Sequence, residues 1–370
     1  MDDKPYILWI APNLNHYNAR FLHRLVERTG LRITVYAGQQ QPDIGHRPHE
    51  GVVRFATVVS QARKGNFSFR LSVFRDLWRL VRSGGFDVVL MPLEIKHLPI
   101  ILYLFTMQSL FGYHLVTYNH PLSPGRGSVG RLIHGGAARL LFGLYDRVIF
   151  YTEKARDEAV ARRCLPVRKA FFANNTLDTD EIWQDFEFQV NTSEPKVLLF
   201  IGRLMPNKRW DLLLKYYESL KELLPGLRLN IIGDGPEAPL VREAAAADPG
   251  ITWQGAVVNE AAIRAHMAAA HLVLVPGDTG LSIVHAFAYG KPYVTLPSLE
   301  HGPEIAYLLH GANGLMLSGE IWRDRETIAS LLRDDDRYAA MCRAAFETAQ
   351  GLSIEHWCRA IEAALDFLRT

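Results

Sequence analysis

Residues 271–297 read HLVLVPGDTGLSIVHAFAYGKPYVTLP and contain the order of elements that decides the fold class. HLVLV is a short apolar run that ends at a Pro-Gly turn, which is typical of a buried strand. SIVHAFAY has the composition of a short helix and is followed by glycine and proline, which end helices. YVTLP is again of strand type. Strand, loop, helix and strand in this order predict two parallel strands joined by a crossover helix.

The same alternation continues through most of the chain and predicts two sheets. Strand-type runs in the first half are YILWIAP, LRITVYA, VVRFATV, DVVLMP, HLVTY and RVIFYT, and those in the second half are KVLLFIG, LRLNIIG, ITWQG, HLVLVP, PYVTLP and GLMLS. Between the two series, TLDTDEIWQDFEFQVNTSEP has no continuous period and is interpreted as a linker. We therefore predict two doubly wound α/β domains facing a central cleft, over 1–185 and 195–350, with a final helix in 351–370.

Composition limits the classes of function. The chain has 370 residues with 41 basic and 39 acidic side chains, so a net charge of +2 predicts no general attraction to nucleic acid. The three cysteines have no metal-ligand spacing, which indicates a cytoplasmic protein with reduced thiols and no metal site. The first residues, MDDKPYILWIAP, lack the pattern of a signal peptide.

Ligands of parallel sheets bind beyond the carboxyl ends of the strands, so the residues after each strand are candidates for binding. Arg203 and Lys208 follow KVLLFIG, Gly233 and Gly235 follow LRLNII, and the loop that begins the next helix contains Gly280. Cations, glycine turns and the N–H groups of residues 280–282 together predict a diphosphate site. A dinucleotide site is the rival interpretation, but GDGPE lacks the third glycine of that motif and the chain has no P-loop.

Several segments in order resemble the family 4 glycosyltransferases, whose fold is GT-B. They are FIGRLMPNKRWDLLL, LNIIGDGPE, ITWQGAV, LVPGDTGLSIVHAFAYGKPYVT and HGPEIAYLLHGANGLML, and the resemblance covers about residues 196–317. In the first half, LVTYNHP, VIFYTEKARDEA and FFANNTLDT are similar to that family as well. The resemblance implies sugar transfer from a UDP- or GDP-linked donor with retention of configuration and without a metal or other cofactor. It also implies that the helix in 351–370 packs back on the N-terminal domain.

The resemblance further implies roles for individual residues. The candidate catalytic residues are His120, Arg203, Lys208 and Glu304. The candidate donor-binding residues are Gly202, Arg203, Lys208, Gly233, Gly235, Asp278, Gly280, Leu281, Ser282 and His285. Cations and directed N–H groups at the diphosphate would offset the charge that develops on the leaving group.

The sequence departs from the family at a pair of glutamates separated by seven residues. Gly277 and His285 occupy the two positions, so neither carboxylate is present. His285 could still form one hydrogen bond to a ribose hydroxyl, and Asp278 or Glu304, of which Glu304 is favoured, could approach the sugar. The chain resembles a subset of the family with the form PG-x-x-GL-x-x-x-H. Two interpretations stay open: an active variant of the motif, or a GT-B protein that binds a small molecule without catalysis. A sugar-nucleotide epimerase is a further alternative, disfavoured by the scarcity of carboxylates.

The acceptor and the membrane are less well defined. Candidate acceptor-binding residues are Asn13, His16, Tyr17 and Arg126, and the expected acceptor is a glycan or a lipid-linked molecule. Segment 63–82 is basic and amphipathic, so it predicts either peripheral contact with the inner face of the cell membrane or an outer helix packed on the sheet. The apolar run 98–112 is shorter than the roughly 20 residues that span a bilayer and is expected to be a buried helix.

Overall fold

The computed structural model describes residues 4–12, 14, 16–39, 55–63, 67, 69–119, 136–298 and 300–366. The chain divides into two compact units. The first unit consists of Met1–Asn175 together with Ile354–Thr370, and the second unit is Thr176–Ser353. Each unit is built on one parallel sheet covered by helices, as the alternation of strand and helix predicts.

The first unit contains, in its described part, a seven-stranded sheet in the order β3-β2-β1-β4-β5-β6-β7. The strands are β1 Tyr6–Ala11, β2 Arg32–Gln39, β3 Ala56–Arg63, β4 Val88–Leu90, β5 His114–Asn119, β6 Arg147–Phe150 and β7 Ala170–Phe172. All neighbouring strands pair in parallel. The order reverses between β1 and β4, which is the feature that defines a doubly wound sheet. The sequence patterns did not predict β7.

Helices cover both faces of this sheet. Their bounds are His16–Thr29, Leu71–Gly84, Leu98–Phe111, Glu153–Ala161 and Ile354–Leu365, with a helical stretch over 136–143 and 3-10 turns at Ile95–His97 and Val167–Lys169. Leu8 and Ile10 of β1 belong to one apolar cluster, whereas Ile7 and Ala11 belong to another, because alternate side chains of a strand point to opposite faces. The second cluster includes Trp357, so the C-terminal helix packs within the first unit.

The helix Leu98–Phe111 corrects one expectation. Its buried side consists of Ile100, Ile101 and Leu104, but Leu102, Phe105 and Leu110 are exposed, so the helix is not buried on all sides. A helix on an outer layer contacts the sheet along one stripe only, and the rest of its surface faces away. Among the described residues, no helix has both the length and the hydropathy needed to cross a membrane.

The second unit contains, in its described part, a six-stranded sheet in the order β10-β9-β8-β11-β12-β13. The strands are β8 Val197–Ile201, β9 Arg228–Ile232, β10 Ile251–Trp253, β11 Leu272–Leu274, β12 Tyr293–Thr295 and β13 Gly314–Met316. The helices are Thr179–Trp183, Trp210–Lys221, Ala238–Ala247, Glu260–Ala269, Ser282–Ala288, Ile321–Arg333 and Asp335–Gly351, with 3-10 turns at Pro206–Lys208 and Pro303–Tyr307. The order reverses between β8 and β11, so β11 and β12 pair as residues 271–297 predict.

The stretch interpreted as a linker packs within the second unit. Leu177 and Ile182 are buried in that unit's main apolar cluster, and the indole Nε1 of Trp183 donates a 2.9 Å hydrogen bond to the carbonyl oxygen of Ala288. Its polar composition hid these contacts, because the apolar side chains that pack in or against the core follow no regular period.

Candidate functional site

Three neighbouring strands of the second unit end at the same edge of the sheet. β8 lies beside β11, and β11 lies beside β12, so the loops after these strands are adjacent. The loop after β8 carries Arg203 and Lys208, the loop after β11 carries Asp278 and Gly280, and the segment after β12 carries Glu304. Residues that are far apart in sequence are therefore brought together where ligands of doubly wound sheets bind.

The loops after β8 and β11 touch through their backbones. The N–H of Gly277 donates to the carbonyl of Lys208 at 3.2 Å, and the N–H of Asp278 donates to the carbonyl of Asn207 at 2.9 Å. A Cβ atom at position 277 would lie 2.1 Å from the Asn207 carbonyl oxygen, closer than atoms can approach. Glycine at position 277 therefore has a steric cause, and a glutamate could not occupy it without moving Lys208.

Lys208 is half-buried at this junction, and Arg203 is exposed beside it. The Nζ of Lys208 donates to the backbone carbonyl of Asp278. Burial lowers the pKa of Lys208, the nearby Arg203 lowers it further, and the charges of Asp278 and Glu304 oppose this effect. Among the described residues, the guanidinium of Arg203 makes no hydrogen bond or ion pair. The edge therefore presents two cations, of which Arg203 is unneutralised by a direct contact.

The carboxylates of the site have different surroundings. Asp278 accepts hydrogen bonds from Asn207 Nδ2 at 3.1 Å and from the Ser298 hydroxyl at 2.7 Å, so its side chain ties the loops together. Glu304 is only 3% exposed, and its Oε2 lies 3.7 Å from the position that a Cβ on Gly280 would occupy. Glu304 therefore lies against the glycine loop, as its predicted approach to a ligand there requires.

Two side chains that the sequence analysis did not single out hold the loop after β11. The Tyr293 hydroxyl shares hydrogen bonds of 2.6 Å with Thr279 Oγ1 and 2.7 Å with Ser282 Oγ. The N–H of Thr279 donates to His301 Nδ1 at 3.1 Å, and His301 Nε2 donates to the carbonyl of Leu296 at 2.8 Å. Burial lowers the pKa of His301, so the neutral ring that can accept this bond is favoured. The loop is thus preorganised by its own neighbours.

The turn after β9 explains two of the predicted glycines. The N–H of Gly202 donates to the carbonyl of Ile232 at 3.0 Å, and a Cβ at Gly233 would lie 1.8 Å from the carbonyl oxygen of Gly202. The φ angle of Gly233 is 151°. Close backbone packing of the loops after β8 and β9 therefore accounts for glycine at position 233, independently of any ligand. Gly235 meets the backbone of Leu204 in a similar way.

His285 forms a pair with a glutamate from the preceding helix, Glu260–Ala269. Its Nε2 donates to Oε1 of Glu260 at 2.9 Å, and the Tyr289 hydroxyl donates to the same oxygen at 2.7 Å. The His285 and Glu260 side chains are 12% and 14% exposed. Burial alone would raise the pKa of Glu260, but the interactions with His285, the hydrogen bond from Tyr289 and the charge of Arg264 together outweigh burial and lower it. Within the described chain, Oε2 of Glu260 accepts no hydrogen bond.

Glu260 was not predicted as a site residue. The local signal, an Asn259 side chain that caps the helix by accepting from the N–H of Ala262, marks only the start of a helix. The contact with His285 joins residues 25 positions apart and belongs to the tertiary structure. A carboxylate is therefore present beside His285, although the residue at position 285 is not itself a carboxylate.

Some predicted residues lie outside the described part of the chain. His120, Asn13 and Arg126 belong to this group, and for His16 and Tyr17 only the backbone, at the start of the helix His16–Thr29, is described. The first unit has a cavity of about 240 Å³ at the carboxyl edge of its sheet. Its lining includes Trp9, Glu94, Lys96, Tyr118, Tyr151 and Trp357.

Comparisons of sequence place the second unit among known domains. Residues 195–334 match the family model described as Glycosyl transferases group 1. The chain is 31% identical over 193 residues to a GDP-mannose-dependent alpha-(1-6)-phosphatidylinositol monomannoside mannosyltransferase of Mycobacterium tuberculosis. The matched region covers 48% of this chain and 48% of that protein. The chain thus spans about half the length of the curated relatives that it matches.

Solved structures match over nearly the whole chain. HepE of Anabaena, solved in complex with UDP, has a TM-score of 0.67 at 16% identity and covers 98% of this chain and 100% of that chain. A glycosyltransferase from Rickettsia africae has a TM-score of 0.73 at 12% identity and covers 100% of this chain and 99% of that chain. At these identities the likeness shows the fold, and the two parallel-sheet units have the architecture of GT-B glycosyltransferases.

Proposed function

We propose that the chain is a retaining glycosyltransferase that moves a sugar from a UDP- or GDP-linked donor to a glycan or lipid-linked acceptor, without a metal ion or other cofactor. One observation carries the proposal: the half-buried Lys208, with the unneutralised Arg203 near it, contacts the loop after β11 at the carboxyl edge of the sheet. A diphosphate complements this arrangement in charge and in shape. The match of residues 195–334 to the glycosyl transferases group 1 model supports it.

The proposed chemistry depends on the leaving group. As the bond to the sugar breaks, negative charge develops on the nucleoside diphosphate, and Lys208 and Arg203 stabilise it more strongly in the transition state than in the bound donor. Burial of Lys208 strengthens this interaction because the local dielectric is low. In the retaining reaction that we propose, an oxygen of the departing phosphate takes the proton of the acceptor hydroxyl on the face that the sugar leaves. His120 and Glu304 are the residues proposed to contact the sugar.

The acceptor is assigned to the first unit. Its cavity is lined by Trp9, Tyr118 and Tyr151, whose rings supply apolar surface for a sugar or the apolar part of a lipid. Asn13, His16, Tyr17 and Arg126 remain predicted acceptor contacts. The Mycobacterium relative is named as acting on a phosphatidylinositol mannoside, which favours a lipid-linked acceptor and peripheral contact with the inner face of the cell membrane. GDP-mannose is the first donor to test because that relative is named as GDP-mannose-dependent.

A second candidate is a nucleotide-sugar-binding protein without catalysis. The observation that favours it is the absence of a carboxylate at positions 277 and 285, where Gly277 and His285 stand. Such a protein would bind the donor at the same edge and would not turn it over.

Binding is tested by titration calorimetry with GDP and UDP. Lys208→Met and Arg203→Met should each weaken the affinity for the preferred nucleotide by about tenfold to a hundredfold, because each removes a charged hydrogen bond. Arg209→Met is the matched control, because Arg209 lies in the same turn but pairs with Asp211 at 2.9 Å. Equal affinity of all variants would remove the diphosphate site.

Catalysis is tested with GDP-mannose and UDP-sugars in the presence of a lipid extract. Transfer with retention, read as the anomeric configuration of the product by NMR, and full activity in EDTA would support the proposed reaction. Saturable nucleotide binding without transfer to any acceptor would favour the binding protein. A product with inverted configuration would contradict the retaining mechanism.

A further inference from the structure

Three helices cover one face of the first unit's sheet. Leu71–Gly84 connects β3 to β4, Leu98–Phe111 connects β4 to β5, and the helical stretch 136–143 precedes β6. Their inward side chains belong to a single apolar cluster, which includes Val73, Leu77, Ile100, Leu104, Ala138 and Phe142. The opposite side of each helix therefore faces away from the sheet.

The outward side of Leu98–Phe111 is unusually apolar. Leu102 is 46% exposed, Phe105 41% and Leu110 67%. These residues follow the i, i+3, i+8 spacing of one helix face, and the helix contains no charged residue. Outer helices of globular proteins normally carry charged side chains on this side, so the exposed stripe indicates a binding surface.

The neighbouring helices surround this stripe with arginines. Arg75, Arg79 and Arg82 are exposed on Leu71–Gly84, and Arg139 is exposed on 136–143 beside Leu140, which is 77% exposed. The first two helices are in direct contact, since the rings of Trp78 and Phe111 lie 5.3 Å apart.

Acidic side chains do not offset these arginines. Within the described part of these three helices, Asp76 is the only acidic residue. It is half-buried and accepts a hydrogen bond from the Tyr36 hydroxyl at 3.2 Å. The outward surface is thus positively charged around an apolar centre.

We propose that this surface, formed by the outward sides of residues 71–84, 98–111 and 136–143 and called here the docking face, binds an anionic lipid bilayer. Leu102, Phe105 and Leu110 enter the boundary between headgroups and acyl chains, while the arginines contact lipid phosphates. Arginine suits this role because its planar guanidinium binds phosphate through two hydrogen bonds. The apolar anchor of the docking face is the helix Leu98–Phe111, which lies outside the basic segment 63–82.

A second copy of the chain is the less favourable occupant of the docking face. Two docking faces brought together would oppose Arg75, Arg79, Arg82 and Arg139 of one copy with those of the other, and like charges in an interface cost free energy. An anionic bilayer instead complements both the charge and the apolar centre. The docking face rests on the membrane contact of the proposed function and specifies the surface that makes it, whereas binding to a bilayer needs no nucleotide and can be measured separately from transfer.

Cosedimentation with vesicles tests the docking face. The unmodified chain should sediment with vesicles of equal parts phosphatidylglycerol and phosphatidylcholine, should not sediment with phosphatidylcholine alone, and should be released by salt. The double variants Leu102→Glu/Phe105→Glu and Arg75→Glu/Arg79→Glu should each reduce the partition coefficient about tenfold or more. The matched controls Leu240→Glu and Arg323→Glu change exposed residues of the second unit and should leave the coefficient unchanged.

Three results would overturn the proposal. They are no sedimentation of the unmodified chain with anionic vesicles, an equal loss in the control variants, and a concentration-dependent dimer in sedimentation velocity that Leu102→Glu/Phe105→Glu abolishes. Circular dichroism of every variant checks that it is folded, and nucleotide titration checks that the second unit still binds its ligand. A variant that loses vesicle binding but still binds nucleotide has lost only the docking face. If the unmodified chain binds no nucleotide, that result counts against the proposed transferase and not against the docking face.

Discussion

Lys208 combines a positive charge with partial burial, and the combination gives the site a measurable dependence on pH. Its amine is held against the carbonyl of Asp278, and burial lowers its pKa below the usual 10.5. A diphosphate binds the protonated amine. The free site therefore loses this cation at a lower pH than an exposed lysine would.

The first prediction concerns pH and Lys208. Affinity for the nucleoside diphosphate should fall as the pH rises from neutral through the lowered pKa of Lys208, whereas Lys208→Arg should keep its affinity over this range because a guanidinium stays protonated. The effect of pH on the free energy of unfolding has the opposite sign. Between the lowered pKa and the usual one, the unfolded chain binds more protons, so the contribution of Lys208 to the free energy of unfolding increases with pH. Calorimetric titrations at increasing pH check the affinity, and an identical profile for both proteins would contradict the role of Lys208.

Glu260 is a candidate site residue that only the structure reveals. One carboxylate oxygen accepts from both His285 and Tyr289, and the described chain offers no donor to the other oxygen. The second prediction is therefore that Glu260, oriented by His285, accepts a ribose hydroxyl of the donor. The unmodified chain should bind the nucleoside diphosphate about tenfold or more tightly than its dideoxyribose analogue, and Glu260→Gln should remove this difference.

Tyr289→Phe is the control for this prediction. It removes one hydrogen bond to Glu260 but keeps the carboxylate, so the discrimination against the dideoxyribose analogue should persist. Equal discrimination by the unmodified chain and Glu260→Gln would show that the Glu260–His285 pair only joins two helices.

At the scale of elements, the contact between the loops after β8 and β11 positions the site. The third prediction is that Gly277→Ala lowers the free energy of unfolding by about 1–3 kcal/mol and weakens nucleotide binding, because its Cβ would overlap the backbone of Asn207 and Lys208. Gly351→Ala is the control, since a Cβ there meets no atom within 4 Å. Denaturant unfolding and calorimetry measure both effects. Full affinity in Gly277→Ala would mean that the contact between the loops does not position Lys208.

Part of the candidate site could be predicted from the sequence, and part could not. The residues after β8 and β11 could be predicted, because strand ends and glycine turns are local signals. The pairing of His285 with Glu260, the buried Tyr293 under the loop, and the steric reason for Gly277 could not, because each depends on atoms from a distant part of the chain. The exposed stripe on Leu98–Phe111 was missed for a related reason. An apolar run indicates a helix without saying how many of its sides are covered.

For the molecule as a whole, the C-terminal helix and the candidate site belong to different units. Trp357 is 2% exposed, donates to the Tyr118 hydroxyl at 2.9 Å, and packs with its ring 5.3 Å from that of Phe21. The fourth prediction is that Trp357→Ala destabilises the first unit by about 3–5 kcal/mol and leaves the nucleotide affinity of the second unit unchanged. Scanning calorimetry, which should resolve a lowered transition for the first unit, and nucleotide titration check this. A matching loss of nucleotide affinity would contradict the assignment of the donor to the second unit.

The second unit is proposed to bind a nucleoside diphosphate sugar through Arg203, Lys208 and the glycine loop. A thermal-shift titration with GDP, UDP, their sugar conjugates and NAD measures this binding, because a ligand that binds only the folded chain raises the melting temperature with its concentration. We expect a saturable rise of about 5 °C or more with GDP or UDP at a concentration on the order of a hundred times Kd, and none with NAD. No rise with any nucleotide, or an equal rise with NAD, would contradict it.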